Sequence, residues 1–201
     1  MRTTRIAELV GTALLASLFI SFAWAHYVAF TVTHRPSLIF AVATETLLAG
    51  FIVARRPASE VSFSPAAWIT ALGGTFAPLL LRPVDGTEDQ LLGTAVQLVG
   101  TIVSAAGIIS LNRCIGLLPA HRGIRRGGMY RLVRHPLYSA YAMTGVGYLL
   151  NHASMRNAAL VVAGLGFQVA RLVNEERLLS SDPHYLAYKA ETRWRLLPFV
   201  F

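Results

Sequence analysis

The chain alternates long apolar runs with short polar breaks, and the lengths of the runs set the first expectation. The run from Ile6 to about Val32 is long enough to cross a hydrocarbon core of roughly 30 Å at about 1.5 Å of rise per helical residue. Within it, Ala23-Trp24-Ala25 has the small-x-small look of a signal-peptide cleavage site, but the length of the run and the apolar runs that follow favour a retained span. His34-Arg35-Pro36 breaks this helix, and a second runs from Ser37 to Ala54, before Arg55-Arg56-Pro57. A polar linker leads through Pro65, a residue suited to the first turn of a helix, into a third span ending near Leu81. The turn-rich, net acidic connection from Arg82 to Asp89 precedes a fourth span from Leu91 to Leu111.

After Asn112-Arg113 the pattern changes. The stretch from Cys114 to His135 is the one long non-apolar region, and with Arg113 it holds Arg122, Arg125, Arg126, Arg131 and Arg134 and no acid. Two further apolar segments, from Leu137 to Leu150 and from Ala158 to Val173, are joined by a polar turn, and the first of them is short for a complete crossing. The tail from Asn174 to Phe201 mixes aromatic, basic and apolar residues and is predicted to lie on the membrane interface. The pattern predicts an all-α polytopic integral membrane protein of about five to six transmembrane helices. Residues 1–111 form its N-terminal membrane part, and residues 112–201 a second half made of connector, helical hairpin and tail. Small residues at Gly100, Ser104 and Gly107, and at Ala159, Ala163, Gly166 and Ala170, are predicted to be helix-packing seams.

Composition sharpens the class. The chain is 54% hydrophobic and 14% charged, against roughly 25% charged in an average soluble domain. Its formal charge of +8 comes from arginines at the ends of apolar runs. That arrangement predicts that the N terminus, the arginine-rich connector and Lys189, Arg193 and Arg195 are cytoplasmic, and that the acidic connection faces out. No basic stripe with interleaved aromatics stands clear of a span, so nucleic acid is not an expected partner. Cys114 is the single cysteine, which excludes an intrachain disulfide and a cysteine metal cluster, and no histidine or carboxylate pair has metal-ligand spacing.

Two constellations carry candidate chemistry. In GGMYRLVRHPLYSAY, residues 127–141, Pro136 stands at the mouth of an apolar helix whose free amides are expected to point at an anion, and Gly127-Gly128 allows close backbone approach to a ligand. The plainer alternative is arginines snorkelling to lipid headgroups and a helix-capping histidine. In the second, Gln168, Arg171, Glu175 and Leu178 recur at helical spacing, giving the last apolar helix one polar face. Glu175 and Glu176 are adjacent acids at a helix end where the macrodipole disfavours negative charge, so cations are expected to meet them. A solvated helix exit with an Arg171–Glu175 surface pair is the alternative. Glu45, near the middle of the second run, is expected to pair with His26, and His121 is either a solvated loop residue or part of a lid.

Taken in order, GGMYRLVRHPLYSAY, an apolar hairpin, NEERLL and HYLAYKAETRWRLLP span about the last ninety residues. This order resembles the C-terminal catalytic half of the isoprenylcysteine carboxyl methyltransferase family, whose bacterial relatives include phospholipid amine methyltransferases. The resemblance implies an S-adenosyl-L-methionine-dependent methyltransferase of a bacterial inner membrane. Its cytoplasmic cofactor pocket would be capped by the connector and open sideways to lipid, and its acceptor would be lipidic or amphiphilic. Residue by residue, it implies Tyr130, Arg134, His135, Tyr138, Glu175 and Glu176 at the cofactor. Arg171 and Arg134 fall to the cofactor carboxylate or the acceptor headgroup, and His135 and Glu175 are the bases available for an amine acceptor. Tyr185, Tyr188, Arg193, Arg195 and Pro198 match the closing pattern that folds back under the pocket. Ser139-Ala140 stands where relatives often place a glycine.

The residue chemistry agrees with this. A methionyl zwitterion needs an acid for its ammonium and an arginine for its carboxylate, and a sulfonium is served by aromatic faces. The closing Arg195-Leu196-Leu197-Pro198-Phe199 also resembles membrane sterol and steroid reductases, which bind NADPH. The tandem glutamates together with Arg134-His135-Pro136-Leu137-Tyr138 favour the methyltransferase. A non-enzymatic protein that binds anionic lipid through its arginines is the remaining reading.

Overall fold

The computed structural model describes residues 2–34, 36–62, 64–84 and 89–200. Arg35 and residues 85–88 of the acidic connection lie outside them, as do the side chains of Arg2 and Arg5. The described chain is mostly helical. Helix α1 (Arg2–Thr33) packs along α2 (Pro36–Val53), with His34 between them at φ 52°. Helix α3 (Pro65–Phe76) continues as a 3-10 turn through Leu80, and α4 (Leu91–Leu111), α5 (Pro136–Asn151), α6 (Met155–Leu179) and α7 (Pro183–Glu191) follow. Three stretches are long and apolar enough to cross a membrane, Leu9–Thr33, Leu91–Cys114 and Met155–Leu179. Ala41–Val53 and Pro65–Leu80 are shorter apolar helices.

Local chemistry sets several boundaries. Pro65 takes the first turn of α3, as its position in the sequence predicts, and the Ser64 hydroxyl accepts from the Ala67 amide. Ser154 does the same for Asn157, so α6 starts at Met155 rather than Ala158 and runs to Leu179. Asp182 accepts from the His184 amide with Pro183 behind it, which opens α7 where the sequence pattern gives only an interfacial tail. A two-residue ribbon, β1 (Glu60–Val61) against β2 (Ala120–His121), pairs Glu60 with His121 and Val61 with Ala120. Strands this short leave no periodic signal in a sequence.

One predicted seam forms and the other does not. Gly100, Ser104 and Gly107 of α4 are buried, and a Cβ on Gly100 would sit 2.9 Å from the Thr144 amide nitrogen and 3.0 Å from the Ala140 carbonyl oxygen of α5. Gly93 and Gly147 extend the same contact. On α6, by contrast, Ala159, Ala163 and Gly166 are exposed, and nothing lies within 4 Å of a Cβ built on Gly166. The helix turns Asn157, Val161, Gln168, Arg171 and Leu172 inward instead. Gln168 and Arg171 carry polar atoms that are expensive to leave against hydrocarbon, so the polar face takes the interior and the small-residue face is left outside.

The α4–α5 contact gives a stability prediction. A Cβ at position 147 would lie 2.7 Å from the Gln97 amide nitrogen and the Gly93 carbonyl oxygen, both backbone atoms that cannot swing away. Gly147→Ala should destabilise the detergent-solubilised protein by about 1–3 kcal/mol. Gly166→Ala should be neutral or stabilising by up to about 1 kcal/mol. Thermal unfolding of the two variants beside the parent checks the contrast.

Candidate functional site

The first turn of α5 and the last turns of α6 meet at the polar end of a cavity of about 740 Å³, within the range of roughly 300–1,000 Å³ usual for small-molecule sites. Arg171 and Glu175 are four residues apart on α6 and so share a face. The Tyr138 hydroxyl donates to Glu175 Oε2 at 2.8 Å, and His135 Nδ1 lies 3.8 Å from the same oxygen. The His135 and Tyr138 rings stack with centroids 5.5 Å apart, and the Arg171 guanidinium sits 5.5 Å from the Tyr138 centroid. Arg171 Nη2 donates to the Gly116 carbonyl of the connector at 3.2 Å. Tyr130, Tyr138, Arg134, His135, Arg171 and Glu175, all expected at the site, line this cavity.

Glu176 does not. Its carboxylate is buried behind the cavity wall in a cluster of cations. Arg134 Nε donates to Oε1 at 2.7 Å and His135 Nε2 lies 3.3 Å from it, while Arg195 Nε donates to Oε2 at 3.2 Å and Lys189 Nζ stands 3.6 Å away. Arg134 spends Nη1 on the carbonyls of Thr192, at 2.9 Å, and Arg193, at 2.7 Å. Nη1 thus holds the tail, and Arg134 also lines the cavity where the sequence expects it. Of the two glutamates expected at the cofactor only Glu175 lines the cavity, because consecutive residues on a helix point about 100° apart.

Two backbone expectations also change. The amides of Tyr138 and Ser139 both go to the His135 carbonyl, at 3.1 and 3.3 Å, and the Ser139 hydroxyl donates to the Leu196 carbonyl. The Tyr138 and Ser139 amides at the start of α5 are thus met by the chain itself rather than left for an anion. Gly128 has φ 60°, and a Cβ there would collide with the Ser110 side chain, so this glycine lets the connector approach α4 rather than a ligand.

The tail does fold back as the closing pattern implies. The amides of Arg134 and His135 donate to the carbonyls of Trp194 and Arg195 at 2.8 and 2.9 Å. Tyr185 and Tyr188 pack on Tyr130, and the Tyr188 hydroxyl donates to the Tyr130 carbonyl at 2.8 Å. Burial pushes the Tyr130 and Tyr185 hydroxyls well up from the usual tyrosine range, with Glu175 adding to the first and Glu176 to the second, so both remain neutral donors. His121 joins neither solvent nor the cavity wall. Its Nε2 meets Asp182 Oδ2 at 2.8 Å and ties the connector to the α6–α7 turn, and the Asp182 carboxyl is held below its usual range by the His184 amide and then by His121. His26 Nδ1 pairs with Glu45 Oε2 at 2.9 Å, as expected, and both line the same cavity farther along.

Among the described residues, four buried polar atoms have no partner: Arg171 Nε, Arg125 Nε, Gln168 Oε1 and the Tyr185 hydroxyl. All four residues line the cavity. Buried groups of this kind are rare because each lost hydrogen bond costs about 1–3 kcal/mol. Arg125 was not singled out by sequence, since nothing in its spacing separates it from the other connector arginines. Tyr141, also in the wall, follows from Tyr138 by helical spacing.

Comparison with protein-family models and with curated proteins finds no match to this chain.

The Glu176 cluster yields a test that separates the two glutamates. Glu176→Ala leaves Arg134 and His135 buried without their carboxylate and should destabilise the protein by about 3–5 kcal/mol. It should also open residues 192–200 to added protease. Glu175→Gln, which keeps an acceptor for Tyr138, should leave the thermal midpoint and the proteolysis pattern near those of the parent.

Proposed function

We propose that the protein is an integral membrane methyltransferase that uses S-adenosyl-L-methionine and acts on a lipidic or amphiphilic acceptor. The observation that carries this reading is the convergence of Glu175, Arg171, Arg125 and Tyr185 on one cavity whose remainder is largely apolar. The donor set fits the cofactor. Glu175 offers a carboxylate to an ammonium, Arg171 and Arg125 offer guanidinium hydrogens to a carboxylate, and the tyrosine cluster offers ring faces. When bound, S-adenosyl-L-methionine supplies a methyl group on a cationic sulfur.

The protein's part is placement and exclusion of water. Tyr138 fixes Glu175 through a 2.8 Å hydrogen bond, and Arg171 is fixed by the Tyr138 ring and the Gly116 carbonyl. Glu176 holds Arg134, and with it the tail, against the start of α5, which makes both positioning residues in this reading. His135 stands between the two carboxylates and keeps its ring stacked on Tyr138. A carboxylate acceptor needs no base; for an amine acceptor, His135 and Glu175 are the groups available to take the departing proton. The resemblance over residues 112–201 supports the same class.

The finer membrane arrangement belongs to this proposal. Helices α2, α3 with its 3-10 extension, and α5 complete a set of six apolar segments, with α5 short for a full crossing. Arg56, Arg113 and Arg122 gather at one end of the bundle, where the Arg56 amide donates to the Arg113 carbonyl and Arg122 Nε to the Arg56 carbonyl. By the positive-inside rule that end, with the site, is the cytoplasmic face of a bacterial inner membrane.

Binding of S-adenosylhomocysteine to detergent-purified protein tests the reading. Glu175→Gln and Arg171→Lys should each weaken it at least about tenfold, a loss of about 1.4 kcal/mol, while Gly166→Ala leaves it unchanged. Binding of NADPH in its place, or no nucleotide binding by the folded protein, would overturn the assignment.

A further inference from the structure

After α7 the chain returns to the start of α5 at a defined depth. The amides of Arg134 and His135 donate to the carbonyls of Trp194 and Arg195, and Arg134 Nη1 donates to those of Thr192 and Arg193, so residues 131–135 lie alongside residues 192–196. The Ser139 hydroxyl, in the first turn of α5, donates to the Leu196 carbonyl at 2.6 Å. Leu196 is therefore level with the place where, in the arrangement proposed above, α5 enters the inner leaflet.

What the tail presents at this level is apolar and basic. Leu197, Phe199 and Val200 are exposed, Phe199 at 86%, and so is Leu132 on the neighbouring segment. The Trp194 and Phe199 rings lie with centroids 5.5 Å apart, and Phe199 has φ 68°, a left-handed backbone that a residue with a Cβ adopts only at a cost. A strained turn whose largest apolar side chain stays mostly uncovered is not accounted for by the protein's own packing, whereas acyl chains at the same depth would cover it. Arg131 and Arg193 are exposed beside it, and neither side chain has a partner among the described residues. Glu191, two residues before Arg193, faces Arg126 at 3.4 Å, and Glu176 is buried among its own cations. The uncompensated charge of the patch is positive, and arginines flanking apolar and aromatic side chains complement an anionic leaflet.

We propose that Leu132, Leu197, Phe199 and Val200 seat in the acyl region of the inner leaflet with Arg131 and Arg193 on anionic headgroups, and that this seating holds the tail on Arg134 and His135, so that the lipid surface regulates closure of the cavity. The inference rests on the orientation and the site read above. In a leaflet without net charge the two arginines lose their attraction and the tail lifts more often. Each opening takes the carbonyl partners from the Arg134 and His135 amides, and both residues line the cavity, so the loosening reaches the site.

Backbone hydrogen exchange of the protein in nanodiscs of phosphatidylglycerol and of phosphatidylcholine tests this. The amides of residues 193–200 and those of Arg134 and His135 should exchange at least about fivefold more slowly in phosphatidylglycerol. The difference should vanish in the double variant Arg131→Gln with Arg193→Gln, and Phe199→Ser should reduce the protection in phosphatidylglycerol. Equal exchange in the two lipids, protection that stops short of Arg134 and His135, or a difference undiminished in the double variant would overturn the proposal. The lipid comparison on the unaltered protein stands even if a variant does not fold. S-adenosylhomocysteine, measured in the same nanodiscs, should bind about fivefold tighter in phosphatidylglycerol. Binding indifferent to lipid while exchange responds overturns the regulatory step alone. No nucleotide binding in either lipid, with the exchange difference intact, removes the methyl-donor reading and leaves the lipid-seated tail.

Discussion

A carboxylate removed from water is tolerated only where cations and donors replace its hydration, and much of the C-terminal half of this protein is arranged around one such carboxylate. Glu176 gathers Arg134 and His135 from the start of α5, Lys189 from α7 and Arg195 from the tail. Arg134 then extends the cluster into the backbone by donating to two tail carbonyls, while the amides of Arg134 and His135 donate to two more. The start of a helix, the end of another and an otherwise irregular tail are thereby fixed relative to one another. Fewer partners would leave a buried charge uncompensated, so the cluster is complete or the region opens.

That cluster frees the neighbouring glutamate for a different task. With Glu176 neutralising the cations behind the wall, Glu175 is met on the cavity side mainly by the Tyr138 hydroxyl and by His135 at longer range. The contrast follows from helix geometry, since two adjacent residues cannot face the same way. The residues that carry unpartnered polar atoms belong to the cavity wall, and the connector that carries Arg125 is pinned by the ribbon to the α2–α3 linker and by His121 to Asp182. The cavity is therefore bounded by elements distant in sequence, and its wall takes in the His26–Glu45 pair contributed by α1 and α2.

Much of the architecture was legible in the pattern of residues. Apolar runs gave the long helices, Pro65 gave the start of α3, and an acid in the middle of an apolar run pointed to its partner His26. Six of the seven residues named for the site line one cavity. What escaped was of two kinds. Short elements such as the β1–β2 ribbon and α7 are stabilised by contacts rather than by periodicity, although Asp182-Pro183 carried a helix-start signal that composition obscured. The division of labour within Glu175-Glu176 and among the arginines depends on rotation about helix axes and on the path of the tail, neither of which spacing along the chain encodes.

The sequence by itself determined that this is a helical protein built for a membrane, that its polar chemistry is concentrated in residues 127–141 and 168–178, and that an embedded acid must find a partner. Those follow from the cost of placing polar groups in hydrocarbon, which acts residue by residue. Tertiary structure decided which charges cancel one another and which face the cavity. It turned the small-residue face of α6 outward and the Gln168–Arg171 face inward, and it committed Arg134 and Glu176 to each other. Such choices are settled by which groups satisfy one another across helices, a competition that exists only once the chain has packed.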